Sequence, residues 1–169
     1  MDTPLLDVRL GPFPDEDVGE LLTLQRAAYV TEARLYDDVR LPALEQTLEE
    51  LIQELTRASC TGAWAGRRLV GAVRTEVRNG VVHIGRLTVA PDLQGRGIGS
   101  RLLAAAEASS GAPRATLFTG HLSSGNLRLY RRLGYVERRR DRVRPGLVLV
   151  HLDKELPGSA WQVGEARLT

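Results

Sequence analysis

Leu6, Val8 and Leu10 alternate with Asp7 and Arg9, the period of two that marks a short strand, and Gly11-Pro12 closes it. The period then lengthens. Asp15, Glu16 and Asp17 put acid at the positive end of a helix that Val18, Leu21, Leu22, Leu24, Gln25 and Ala28 carry forward. That helix is expected to run through Tyr29–Leu35 and to break at Tyr36-Asp37-Asp38. A second helix is expected from Leu41-Pro42, with Leu44, Leu48, Leu51, Ile52 and Leu55 on one face and Glu45, Glu49, Glu50 and Glu54 on a solvated one.

Strands dominate from Thr61. Thr61–Ala65 turns at Gly66-Arg67-Arg68 into Leu69–Val77, and Asn79-Gly80 is a strong hairpin signal before Val82–Val89. Pro91 stops that strand because it has no N–H to give a ladder. Ile98, Leu102, Leu103 and Ala106 then recur at helical spacing as far as Ser109-Ser110-Gly111, where the glycine suits a C-cap. Ala115–Thr119 is a fifth strand, and its link through a helix implies a parallel neighbour. A short helix from Asn126 to Leu133 ends at Gly134, and Tyr135–Arg139 with Leu147–Leu152 predicts a final hairpin. The tail from Pro157 to Thr169 has little pattern apart from Trp161.

Gly95, Gly97 and Gly99 crowd the turn from the Val82–Val89 strand into the central helix. Glycine there permits unusual φ values and close approach of a bulky ligand. The free N–H groups of the first helical turn converge at that point with the positive end of the helix dipole behind them, a nest suited to a diphosphate. A Walker A loop fails, since Arg101 stands in place of its Lys and the first glycine is missing. A Rossmann turn fails too, because its last glycine would fall on Ser100 or Leu102.

What fits is Gln94-x-x-Gly97-x-Gly99 after a strand ending Val89-x-Pro91, followed downstream by Asn126-x-x-x-Tyr130-x-x-x-Gly134-Tyr135. The first resembles motif A of the GNAT N-acetyltransferases, which binds the pyrophosphate of acetyl-CoA, and the element order resembles that fold over roughly residues 5–155. The resemblance implies an α/β domain over residues 1–156, with a mixed, mostly antiparallel sheet of about seven strands and about four helices. It implies acetyl-CoA as cosubstrate, held by Gln94, Gly95, Arg96, Gly97, Ile98, Gly99 and Ser100, by the backbone of Leu87, Thr88 and Val89 in the manner of strand addition, and by Asn126.

Acetyl transfer to an amine needs a base for the amine, a donor to the thioester oxygen and a proton for the leaving thiolate. In the family a Tyr in the short helix often points at the CoA sulfur, which implies Tyr130 as the acid. A phenol with a pKa of about 10 stays protonated at neutral pH. Many members carry a Glu on the fourth strand eleven residues before the motif-A Gln. That position is His83 here, and period-two counting puts it on one face with Leu87 and Val89. Glu76, Glu32 and Asp37 are alternative bases. The segment joining the first two helices covers the acceptor side in this fold, and it carries Tyr29, Glu32, Tyr36, Asp37 and Asp38. Carboxylates beside aromatic faces suit a cationic amine, either a small molecule or a peptide end.

Charge sharpens that expectation. Residues 1–60 hold 13 Asp/Glu against 5 Arg, a net of −8, and the remainder hold 8 against 18 Lys/Arg, a net of +10. An anionic ligand on the later part and a cationic one facing the earlier part would follow. Arg138–Arg144 would serve nucleic acid in a competing reading, but Asp141 interrupts it and no aromatics are interleaved, so a solvated hairpin turn is preferred. Cys60 is the single cysteine, outside both motifs, and His83, His121 and His151 lack metal-ligand spacing, so no metal is expected. With no basic-then-apolar leader after Met1 and no long apolar run, the expected location is cytoplasmic. The alternative from another class is a non-catalytic CoA-binding sensor; either leaves a homodimer open.

Overall fold

The computed structural model describes residues 7–157, so Leu6 and nearly all of the tail, Trp161 included, lie outside the described residues. The elements in order are β1 (Val8–Pro12), α1 (Val18–Tyr36), α2 (Pro42–Glu45), α3 (Leu48–Leu55), β2 (Ser59–Ala65), β3 (Arg68–Arg78), β4 (Val81–Val89), α4 (Ile98–Ser110), β5 (Arg114–Gly120), α5 (Ser124–Arg132), β6 (Val136–Arg144) and β7 (Leu147–Glu155). They build one seven-stranded sheet in the order β1-β2-β3-β4-β5-β7-β6. Among the described strands only β4 and β5 run parallel, since a helical crossover joins them, whereas tight turns join the antiparallel pairs β2–β3, β3–β4 and β6–β7.

Helices cover both faces of the central strands. An added Cβ on Gly71 of β3 would meet Leu102 and Ile98 of α4. Arg74, three residues on and so on the opposite face, reaches Gln25 of α1 and Glu54 of α3. Leu102 and Leu103, adjacent in sequence, are both fully buried, as are Val70, Val73, Val82, Val150 and Leu152. Cutting a side chain such as Leu102 to alanine costs about 2–5 kcal/mol in a core of this kind.

Three expectations are corrected. The second helix is two pieces: Gln46-Thr47 breaks it, and Thr47 caps α3 through a reciprocal capping box with Glu50. A Thr-x-x-Glu start was therefore present in the sequence and competed with the apolar spacing that ran across it. Glu54 is not simply solvated, since its carboxylate lies 3.0 Å from the buried guanidinium of Arg74 and accepts from Gln46 at 2.6 Å. Finally, Arg138–Arg144 is no turn. It makes up all but the first two residues of edge strand β6, where Arg138 faces Asp153, Arg139 faces Asp141, Arg140 faces Glu137 and Arg144 faces Asp38. A charged, paired edge discourages addition of a further strand.

Candidate active site

The sheet opens at its centre. β4 and β5 pair only from Val81–His83 to Arg114–Thr116, after which β4 stays with β3 and β5 with β7. The divergence starts at a bulge: Ala72 pairs with Thr88 but Arg74 with Gly85, so three steps along β4 match two along β3. Arg86 takes up the extra residue at φ 50°, a left-handed conformation that costs an L-residue about 1–2 kcal/mol. The V left between the strands is a cleft of about 1260 Å³, lined from β4 by Gly85–Val89, from the far side by Thr119 and Asn126, and from above by α1.

At one end stands the glycine turn. Gly95 and Gly97 have φ of 75° and 81°, and a Cβ at either would meet nothing within 4 Å, so the turn faces open space. Gly97 is the N-cap of α4 and no side chain caps that helix, leaving its first-turn N–H groups for a ligand. Gln94, Gly95, Gly97, Ile98, Gly99 and Ser100 all line the cleft, and Arg96 does not. Gln94 donates back to the carbonyl of Val89 at 3.4 Å and so closes the turn. The bidentate pair of Arg68 with Asp92, both bonds 2.7 Å, anchors the same turn and holds the Asp92 carboxyl below its ordinary range. On α5, Arg128 and Arg132 line this end, with Arg132 reaching Ser100 Oγ at 3.4 Å. These two arginines were not foreseen, although their spacing of four puts them on one helix face. A built nest, uncapped N–H groups and two guanidinium groups fit the diphosphate of coenzyme A.

In the middle of the cleft, Leu87 and Val89 face α4, with side chains within 3.9 Å and 3.8 Å of the position a Cβ on Gly99 would take. Thr88 is buried and turned away, its hydroxyl donating to the carbonyl of Ala72 at 3.4 Å. Asn126 lines the cleft and donates to Thr119 Oγ1 at 3.3 Å, but it is the third residue of α5, not its start; Ser123 holds the N-cap position. Tyr130 is buried, its ring tilted against Tyr135 at 6.0 Å. Burial first, then the nearby Tyr29 and Glu32, push its phenol above the ordinary value. The hydroxyl bonds to no described residue and opens on the cleft.

The bulge moves His83 out of the site. His83 pairs with Glu76, on the face of β3 that Arg74 shares, whereas Val89 pairs with Gly71 on the face toward α4. His83 is therefore on the opposite face from Leu87 and Val89 and does not line the cleft. Burial, then Arg78, lower its pKa, which further disfavours the charged form. Counting in twos failed because the extra residue inverts the alternation.

The acceptor side is likewise rearranged. Tyr29, Glu32, Tyr36 and Asp38 line the cleft; Asp37 does not, since it is the left-handed C-cap of α1 at φ 46°, its N–H on the carbonyl of Ala33. Glu32 accepts from Ser123 Oγ at 2.5 Å, and the Tyr36 hydroxyl accepts the N–H of Leu122 at 2.8 Å while packing on Gly120. Asp38 is paired with Arg144. Five arginines (Arg40, Arg86, Arg128, Arg132, Arg144) line the cleft against three acids, Glu32, Asp38 and Glu54. Of the three acids expected at the mouth, Asp38 is paired with Arg144 and Asp37 lies off the cleft, which leaves Glu32. Cys60 is not a reserve nucleophile: burial pushes its thiol up to about 12.

Residues 30–156 match the family model for the acetyltransferase (GNAT) domain. The chain belongs to the GNAT acetyltransferases. Its cosubstrate is acetyl-CoA, and its activity is acyl transfer. Solved structures agree in fold. PaiA N-acetyltransferase from Thermoplasma acidophilum, in complex with coenzyme A, superposes with a TM-score of 0.73 at 20% identity over 88% of this chain and 99% of that one. The ribosomal-protein-S18-alanine N-acetyltransferase from Escherichia coli gives 0.74 at 14% identity, covering 93% and 99%. The IAA acetyltransferase from Bacillus cereus gives 0.68 at 21% identity, covering 89% and 100%. A search of curated protein sequences matches none. No described helix of this GNAT chain is long and apolar enough to cross a membrane.

Proposed function

We propose that this protein transfers the acetyl group of acetyl-CoA to a primary amine by direct attack in a ternary complex. The observation that carries this reading is one cleft running from the Gly95–Ser100 nest past the open edge of β4 to Tyr130 and Glu32. Bound acetyl-CoA supplies the activated thioester carbonyl. The nest, with Arg128 and Arg132, holds its phosphates, and the unpaired backbone of Gly85–Val89 aligns the arm as an added strand. An N–H of that same segment is the donor to the carbonyl oxygen as charge develops there.

Tyr130 keeps its proton, because burial favours the neutral phenol, and delivers it to the departing sulfur. Of the four groups considered as base, His83, Glu76, Asp37 and Glu32, only Glu32 lines the cleft. Glu32 accepts the proton of the incoming ammonium, and Ser123 Oγ holds one of its oxygens in place. Initial-rate kinetics with a mass-spectrometric screen of amines test the scheme. Intersecting double-reciprocal plots and an N-acetylated product are expected, with the turnover of Glu32→Gln reduced by roughly 10²-fold. Parallel plots with an acetylated enzyme overturn direct transfer. Binding of coenzyme A with no acetylation of any amine leaves the non-catalytic sensor as the reading.

A further inference from the structure

Among the described residues, Arg86 is the one guanidinium lining the acceptor end of the cleft that bonds no carboxylate. Each of its neighbours has a carboxylate: Arg40 bonds Glu45 at 3.1 Å, Arg74 approaches Glu54 at 3.0 Å, and Arg144 pairs with Asp38. Arg86 has no carboxylate partner among the described residues. The bulge holds its backbone at φ 50°, and its guanidinium lies over the ring of Tyr29, 5.8 Å from the centroid. That stacking restrains a side chain that would otherwise sample many rotamers.

Arg86 also borders two spaces at once. One is the main cleft. The other is a hollow of about 490 Å³ beneath α2 and the start of α3, lined by Pro42, Glu45, Gln46, Thr47 and Glu50 together with Arg86. The two acids of that hollow are engaged, Glu45 by Arg40 and Glu50 by the backbone N–H of Thr47 at 2.8 Å. A ligand group entering there meets an oriented guanidinium that bonds no carboxylate of the described residues.

Resting on the reading of the cleft as an amine acetylation site, we propose that the acceptor carries a carboxylate close to its amine, as an amino acid does, and that Arg86 binds this carboxylate. A guanidinium presents parallel N–H donors that match the two oxygens of a carboxylate. Glu32, the carboxylate that receives the amine, is three residues from Tyr29 on α1, and side chains so spaced are neighbours about 5–6 Å apart at their Cβ atoms. Arg86 stacks on Tyr29, so anion and cation subsites flank one aromatic ring. Separation on that scale suits an amine and an acid a few bonds apart and disfavours a long diamine. Of the acids of residues 1–60 that line the cleft, Asp38 and Glu54 are paired with Arg144 and Arg74, which leaves Glu32 for the amine.

The test is a panel of amino acids, each paired with its carboxamide, together with diamines that lack any acid. Consumption of acetyl-CoA is followed for the wild type, Arg86→Gln and Arg86→Lys, each checked by its melting temperature. The wild type is expected to favour at least one free acid over its amide by tenfold or more in kcat/KM. Arg86→Gln should bring that ratio close to one through the acceptor KM, while Arg86→Lys retains part of it. A wild type that acetylates amides or diamines at least as well as acids overturns the carboxylate role and leaves amine acetylation standing, and so does an acid-to-amide ratio that survives Arg86→Gln. Acetylation of nothing in the panel by a folded wild type overturns both.

Discussion

Replacing Tyr130 by phenylalanine separates its packing from its chemistry. The ring is buried and leans on Tyr135 at 6.0 Å, and phenylalanine keeps that contact and the volume. The hydroxyl bonds to no described residue, so its removal leaves no protein donor or acceptor stranded. Stability should then change by no more than about 1 kcal/mol, the range of an intramolecular hydrogen bond this group does not make. Loss of a general acid, by contrast, lowers turnover by about 10²-fold or more, about 2.7 kcal/mol of barrier. Steady-state kinetics should show that fall in kcat with the KM for acetyl-CoA nearly constant. A second measurement sharpens the reading. An acetyl thioester whose thiol is intrinsically more acidic needs the proton less, so Tyr130→Phe should impair it much less than acetyl-CoA. Equal impairment with both donors, or undiminished turnover, would refute the acid role. A marked drop in melting temperature would instead return Tyr130 to a packing role.

Other outcomes follow from the same geometry. Gly97→Asp forces a left-handed φ on a residue with a Cβ and sets negative charge at the N-terminus of α4, though nothing clashes. Calorimetry should record coenzyme A binding at least tenfold weaker, roughly 1.4 kcal/mol, in a folded protein, and unchanged affinity would contradict the nest. Cys60, its thiol pushed up to about 12 from an ordinary 9.0, should react with iodoacetamide at pH 8 roughly 10³-fold more slowly than in the denatured chain; comparable rates would contradict its burial. Burial also raises Tyr130 and Tyr135 above their ordinary 10.0, Tyr135 with help from Glu107. Raised folded-state values favour the protonated form, so stability should be level in these groups below pH 9 and fall above it, as the unfolded chain ionises more readily. A urea midpoint that holds constant from pH 8 to 11 would contradict this.

Much of the molecule was legible because its signals are local. Asn79-Gly80, Pro91 and the Gly95–Gly99 cluster each act through the φ preferences of a few consecutive residues, and α4 through a periodic face that needs only its own sequence. The element order, the parallel junction of β4 with β5 and the nest rest on such signals, whereas the place of Tyr130 on the cleft was implied by the family resemblance. The α2–α3 break was written in Thr47-x-x-Glu50 and was obscured by a second local pattern of similar strength.

Tertiary structure alone decided the rest. A single extra residue at Arg86 inverts every later position of β4, and nothing in Val81–Val89 announces it, because the bulge is set by registry with β3. His83 left the face of Leu87 and Val89 for that one reason, and Arg86, within the bulge itself, lies over Tyr29 of α1. Charge behaved in the same way. The acids of the first 60 residues could be counted, but whether each faces a substrate or an arginine depends on partners such as Arg144 for Asp38 and Ser123 for Glu32, 106 and 91 positions away. Coulomb energy depends on separation in space, so composition determines how much charge the protein carries and the fold determines which of it is left for a ligand.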